Sequence, residues 1–344
     1  MKKLLNWILA PALAAFAGLV TPLHCTAADN APALKTARLV LHWDHQAQFA
    51  GYYIALDKGF YEAEGLDVTI IRGGPNVRPG EMVADGKAEF CTTMLSTALE
   101  KRESGIDLVQ IAQVVNRSNF EIVAWKKPDG PNGPEIAKPS DLEGRKITIW
   151  EQDFRLPYLA FFDVQNVKAE ILPQYYSLSL FVNHGADACS AMRYNEYHWL
   201  LQHGVKESDI VVFPLWNYGV PLPEDGIYTL GSTWKDDPAM CQAFARASLK
   251  GWQYAKEHPD EALEAVMERV NEAKIPTNRP HMRWMLDEIL NSIFPGDNGG
   301  WVFGRLSENA YRQSCQMLKR RGAVEQCPDY STFVKETEAA HVEP

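Results

Sequence analysis

Residues 39–74, LVLHWDHQAQFAGYYIALDKGFYEAEGLDVTIIRGG, read as strand, loop, helix and strand. Leu39, Val40 and Leu41 form a short apolar run. Residues 51–56 carry apolar side chains at helical spacing, and the run stops at Gly59. Residues 66–71, LDVTII, are β-branched and close on Gly73 and Gly74. A strand, a helical crossover and a second strand within this length is a βαβ unit, which requires a parallel pair. The loop after the first strand holds His42, Trp43, Gln48 and Phe49. Open α/β sheets bind ligands at the carboxyl ends of their parallel strands. An aromatic, polar, nearly uncharged loop at that place points to a flat, neutral small molecule.

The rest of the chain repeats this alternation. Residues 89–92, 108–115 and 121–125 read as strands, and residues 96–103 as a helix with Ser96 or Thr97 as N-cap and Glu100 as its capping-box partner. Residues 126–134, KKPDGPNGP, are dense in breakers and read as a linker. The pattern then restarts. Strands are expected at 146–150, 186–192 and 211–215, and a helix at 158–166. A second breaker segment, 221–226, precedes a strand at 227–230, and helices dominate from residue 238. Two breaker segments enclosing a second βαβ restart suggest a chain that enters a second lobe and returns. That predicts an α/β protein of two lobes, with 35–126 and 227–344 in one and 127–226 in the other. The ligand cleft is then expected between the lobes.

Composition limits the partners. The chain has 344 residues and a formal net charge of −10. Phosphate-backbone binding needs clustered Lys and Arg, so non-specific nucleic-acid binding is not expected. The N-terminus has basic Lys2 and Lys3, an apolar run over residues 4–20 and small residues at 26–28, the pattern of a cleaved secretory signal peptide covering residues 1–28. Of six cysteines, Cys25 lies in that segment and five remain. An odd number in an oxidising compartment implies a free thiol, and Cys315 with Cys327 is the expected disulfide. No C-x-x-C motif, P-loop or G-x-S-x-G elbow occurs. His42-x-x-His45 has loop spacing and is read as non-metal, so no metal site and no cofactor are expected.

The stretches QFAGYYIALDKGFYEAEGLDV, MVADGKAEF, MLSTALEKRESGIDLVQIAQ, AMRYNEYH, PEDGIYTL and RASLKGWQYAKEHPDEAL are spread over residues 48–263 and so run along most of the mature chain. They resemble the periplasmic solute-binding proteins of ABC importers, of the thiamine-pyrimidine and sulfonate type. The resemblance implies the two-lobed type II periplasmic-binding fold and a monomeric receptor in the periplasm. It also implies an ABC permease as partner at the inner membrane. The implied cargo is a small heteroaromatic like a thiamine pyrimidine precursor, with a sulfonate or other small anion as the alternative. Eukaryotic relatives in the resembled family synthesise the pyrimidine, but where they carry a Lys and a His this chain has Thr92 and Ser96. Their cysteine-rich motif is also missing, so an enzyme is not expected.

The candidate ligand residues are Trp43, Gln48, Tyr52, Gly73, Gly74, Ser96, Thr97, Trp150, Tyr194 and Glu196. Trp43 either caps the core or offers a stacking platform. In the resembled family a Trp after Asn occupies this place; here His42 precedes it. Gly73 and Gly74 permit close backbone approach or make a tight turn. Ser96 and Thr97 either cap a helix or donate to cargo. Trp150 ends a strand and is followed by Glu151 and Asp153 where the family often has a Gly-rich phosphate cradle, which disfavours a phosphorylated ligand. Tyr194 and Glu196 either start an amphipathic helix or, as the resemblance implies, stack opposite Trp43 and accept N–H bonds from an aminopyrimidine. Asp225 is a weaker candidate, explained by turn chemistry.

Overall fold

The computed structural model describes residues 33–296, 301–335 and 337. The expected signal peptide, residues 1–28, lies outside the described residues. Among the described residues ten strands are formed: β1 (Lys35–Val40), β2 (Leu66–Ile71), β3 (Phe90–Met94), β4 (Leu108–Gln113), β5 (Phe120–Trp125), β6 (Lys146–Trp150), β7 (Glu170–Gln174), β8 (Ala188–Met192), β9 (Ile210–Pro214) and β10 (Asp225–Leu230). They make two five-stranded sheets, of order β2-β1-β3-β10-β4 and β7-β6-β8-β5-β9.

The two sheets have the same plan. In each, four strands run in one direction and a single strand in the fourth position is antiparallel to its two neighbours: β10 lies between β3 and β4, and β5 between β8 and β9. β10 joins the first sheet only after all five strands of the second have been formed, whereas β5 is the first strand of its own sheet in sequence. The opening βαβ unit is present as read, with β1 and β2 parallel from Lys35↔Leu66 to Val40↔Ile71.

The boundary expected at residues 126/127 is not where the chain changes sheet. β5 is buried at every position and hydrogen-bonded on both edges in the second sheet, so the crossing precedes residue 120. No breaker is needed there, because the crossing backbone is tied to the returning strand. Val114 N and Val115 N both donate to Asp225 O at 3.0 Å, and Glu224 N donates to Val115 O at 3.0 Å. The Pro- and Gly-rich 126–134 segment is a surface loop inside the second half. The second breaker segment is also shorter than read: Asp225 and Gly226 already belong to β10.

The first helix, Ala50–Asp57, is seated on the long helix Pro238–Glu257. Their crossing is close because both contribute glycine. A Cβ on Gly251 would stand 2.1 Å from Gly51 O, and one on Gly51 2.2 Å from the Trp252 ring. This contact fixes the base of the loop that carries His42 to Phe49. Farther along, Cys315 and Cys327 form a disulfide with a Cα–Cα distance of 6.0 Å, while Cys91, Cys189 and Cys241 are buried thiols. Among the described residues, no helix is long and apolar enough to cross a membrane.

Candidate functional site

The carboxyl ends of β1, β6 and β8 converge, and the loops leaving them bring together Trp43, Trp150, Phe154, Tyr194 and Glu196 around one small cavity. Its volume is about 20 Å³, with Gln46, Gln48, Met192 and Asn195 completing the wall. Among the described residues lining it, none is Lys or Arg. The Trp43 ring meets Trp150 edge to face at 5.9 Å and Phe154 at 5.4 Å, and lies tilted against Tyr176 at 6.1 Å. These three rings, rather than the expected Tyr194, are the ones packed on Trp43. Tyr194 is buried and its hydroxyl points to Met192 Sδ at 2.6 Å.

Glu196 sits on a π-helical turn, Arg193–Tyr197, that follows β8 directly. Such single turns recur at functional sites because they re-aim side chains that an α-helix would space regularly. The Glu196 side chain accepts from Met192 N at 2.8 Å, Trp150 Nε1 at 3.1 Å and Asn195 Nδ2 at 3.2 Å. Burial still pushes its carboxyl above the ordinary value; the Met192 N–H and then the Trp150 and Asn195 donors oppose that shift. Neither open reading of Glu196 is sufficient alone, since its first-turn bond to Met192 N is a capping contact while its other oxygen faces the rings.

Gln48 and Asp225 form a second polar group beneath Trp43. Gln48 Nε2 donates to Asp225 Oδ2 at 2.8 Å and to His42 Nε2 at 3.1 Å, and Gln48 Oε1 accepts from Gln46 Nε2 at 2.6 Å. His42 therefore accepts at Nε2, and its Nδ1–H faces Thr92 Oγ1 at 2.8 Å. His42 Nε2 also lies 3.4 Å from Asp225 Oδ1. This is not an ion pair at neutral pH. Burial holds His42 down at about 4, against a smaller opposing pull from Asp153. Burial also holds Asp225 up at about 7, against the Gln48 hydrogen bond. Both amide hydrogens of Gln48 are used here, which makes it a positioning residue, and Asp225 is more than a turn residue. His45 turns away to Tyr53 OH at 2.8 Å, so the His42-x-x-His45 pair diverges.

The remaining candidates are placed around this centre. Gly73 is buried where a Cβ would stand 2.2 Å from Leu41 O and 2.6 Å from Trp43 N, so a side chain there would push the Trp43 loop. Gly74 has φ +137°, a left-handed conformation that glycine tolerates. The helix expected to be capped by Ser96 or Thr97 starts at Leu95 with Met94 preceding it, and no side chain caps it. Ser96 and Thr97 fall two and three positions past the N-cap and lie buried in the first turn. Thr97 Oγ1 reaches Asp153 O at 3.5 Å, a contact between the first turn of this helix and the 3-10 turn that follows β6. Tyr52 is not brought to the cavity: it is 1% exposed and packs edge to face on Trp252 at 5.8 Å. Helical spacing turns it to the core beneath the loop.

Sequence reasoning missed Phe154, Gln46, Asn195 and Tyr176 as site residues. Phe154 and Tyr176 each follow a strand end closely, which was the available signal. Among the described residues, no group of three His, Cys, Asp or Glu is arranged to hold a metal.

A sequence profile of the family described as NMT1/THI5 like matches residues 46–262. The formylaminopyrimidine-binding protein of Halalkalibacterium halodurans is 26% identical over 309 residues, covering 88% of this chain and 89% of that protein. The riboflavin-binding protein RibY of Chloroflexus aurantiacus is 25% identical over 263 residues, 74% of this chain and 72% of that protein. The periplasmic aliphatic sulphonate binding protein SsuA of Escherichia coli superposes with a TM-score of 0.64 at 12% identity, covering 88% of this chain and 92% of that one. This structural likeness shows the fold, that of the periplasmic binding proteins.

Proposed function

The chain belongs to the NMT1/THI5-like family, and on that premise we propose that it is the solute-binding receptor of an ABC importer. It takes up a small heteroaromatic ligand bearing N–H donors, of the aminopyrimidine class. The two sheets are the cores of two lobes, changing over near residues 114–119 and returning before β10, and the ligand is held between them. The receptor works as a monomer in the periplasm, delivered by the cleaved segment 1–28, and hands its cargo to an inner-membrane permease.

One observation carries the cargo class. A buried carboxylate, Glu196, is held among Trp43, Trp150 and Phe154, and no Lys or Arg lines the cavity among the described residues. Aromatic walls favour a flat ring by area and by edge or stacked geometry. A carboxylate favours N–H donors and repels an anion. The sulfonate alternative therefore has the wrong charge beside it. The names of the two relatives, one binding a formylaminopyrimidine and one riboflavin, both describe heteroaromatic ligands, the first of them an aminopyrimidine. Ligand pockets occupy roughly 300–1,000 Å³, so admitting a ring requires Phe154 and Tyr176 to swing or the lobes to part. Capture then follows as the lobes close on contacts to both.

Binding rather than catalysis is the reading supported by the positions of Thr92 and Ser96, which carry no base, amine or nucleophile comparable to a Lys or His. Native mass spectrometry of protein purified without denaturation tests the proposal. A retained aromatic of pyrimidine-like mass is the expected result; a retained sulfonate would refute the cargo class.

A further inference from the structure

A hydrogen-bonded chain leaves the cavity from Glu196. Asn195 Nδ2 donates to Glu196 Oε1 at 3.2 Å, and Asn195 Oδ1 is 3.0 Å from His281 Nε2. His281 Nδ1 is in turn 2.9 Å from His198 Nδ1. The direction of every bond is fixed by chemistry. A carboxylate only accepts, so the Asn195 amide nitrogen faces Glu196. The Asn195 carbonyl only accepts, so His281 must carry its proton on Nε2. A neutral His281 then accepts at Nδ1, and His198 donates from Nδ1–H.

His281 is 86 residues from Asn195 and stands on another element, the helix Arg279–Ile293. That helix packs on the Ala47–Phe49 turn and on helix Pro259–Glu272, and it also packs on the π-helical turn. Its seat there is secured by Trp284 Nε1 donating to Arg193 O at 2.9 Å and by the Trp284 ring stacked on His198 at 4.8 Å. His281 is itself held at its backbone by Asn278 Oδ1, 2.9 Å from His281 N. It is 7% exposed.

We propose that His281 is a positioning residue of the ligand site: it holds the Asn195 carbonyl so that one amide N–H binds Glu196 and the other is presented to the cargo. The inference rests on the proposed placement of cargo against Glu196. It also makes binding sensitive to acid. A proton added at His281 Nδ1 would set two donors against each other across the short contact to His198. Burial, then His198, already hold His281 at about 4, and burial lowers His198 as well. Asp260 and Glu264 of the adjoining helix pair with Arg283 and Arg279, and the Arg193 guanidinium lies 2.9 Å from Glu121 and 3.9 Å over the Tyr197 ring. The Ala47–Phe49 turn carries none. When the contact parts, His281 regains an ordinary imidazole value of about 6.5. Its share of closure is therefore present above that value and lost as pH falls below it.

Two measurements decide the inference. Long-range nitrogen–proton correlation on the histidine rings near pH 7.5 should show His281 protonated at Nε2 and His198 at Nδ1. The opposite tautomer at His281 overturns the proposal whether or not any ligand binds. Calorimetry with a formylaminopyrimidine as probe then compares wild type with His281→Gln, whose amide can donate to Asn195 without titrating. Wild-type affinity should fall about tenfold between pH ~7.5 and ~5.5 from this group, and His281→Gln should abolish that part while keeping affinity near the wild-type value at the higher pH. An identical pH dependence in both proteins overturns the positioning role. If the probe binds neither protein, it is the cargo reading that fails, and the tautomer pattern alone decides the role of His281.

Discussion

Trp150 Nε1 donates to Glu196 Oε1 at 3.1 Å, which joins a wall of the cavity to the one ionisable carboxyl among the described residues that line it. The strand end that delivers Trp150 and the π-helical turn that delivers Glu196 thus act as one unit of the second sheet. Trp43 comes from the first sheet and meets Trp150 edge to face. A ring placed between these groups would touch both sheets, and a ligand shifts an opening equilibrium only through contacts that differ between the two states.

Trp43→Ala should weaken binding of a formylaminopyrimidine by about 2 kcal/mol, since ring area and aromatic contact are both lost. Trp43→Phe should recover much of it. Calorimetry reads both, with thermal melts to confirm folding. Unchanged affinity in the alanine variant would remove Trp43 from the site.

The crossing segments should make the protein less stable in mild alkali. Burial, then the neighbouring Asp225, push Glu224 up to about 8, and burial pushes Glu121 up to about 8 against the pull of Arg193. Between the ordinary carboxylate value of about 4.3 and these values, the folded chain keeps protons that the unfolded chain releases. This contribution is complete below pH ~4 and is lost as pH rises through ~8. Glu224→Gln, which still offers an acceptor to Asn119 N, should raise stability at pH ~8 by about 1–3 kcal/mol and flatten the slope. A melting-temperature profile across that range checks it; a wild-type profile that rises toward pH ~8 contradicts it.

Local pattern carried much of the fold. LDVTII gave β2 at its observed bounds because β-branching and flanking glycines are local signals, and KITIW gave β6 in the same way. The sheet to which β5 belongs was not legible, since its partners β8 and β9 lie more than sixty residues onward. Within the candidate site, Trp43, Gln48, Trp150, Tyr194 and Glu196 were legible as candidates because each lies at a strand's carboxyl end or in the segment just after it. Tyr52 was misplaced because helical phase alone does not say which side of the helix faces Trp252 and which the loop. His281 gave no sequence signal at all: its role depends on a helix returning from far along the chain to touch Asn195.

The Cys315–Cys327 bridge closes a short loop, with a sequence separation of 12. Loops of that size gain about 3 kcal/mol from the restriction of the unfolded chain. Protein lacking residues 1–28 should therefore show three thiols in denaturant without reductant and five with it. Cys315→Ser should lower stability by about 2–3 kcal/mol. Five thiols without reductant would rule out the bridge.

The most direct test of the account is a paired titration of wild type and Glu196→Gln with a formylaminopyrimidine and with an alkanesulfonate. The carboxylate is a charge-assisted acceptor for an amino group, and a neutral amide in its place can present a clashing donor. The expected result is one-to-one binding of the pyrimidine to wild type, at least tenfold weaker in the variant (about 1.4 kcal/mol), with no binding of the sulfonate to wild type. Sulfonate binding that strengthens when Glu196 loses its charge, with the pyrimidine indifferent to the change, would contradict the account.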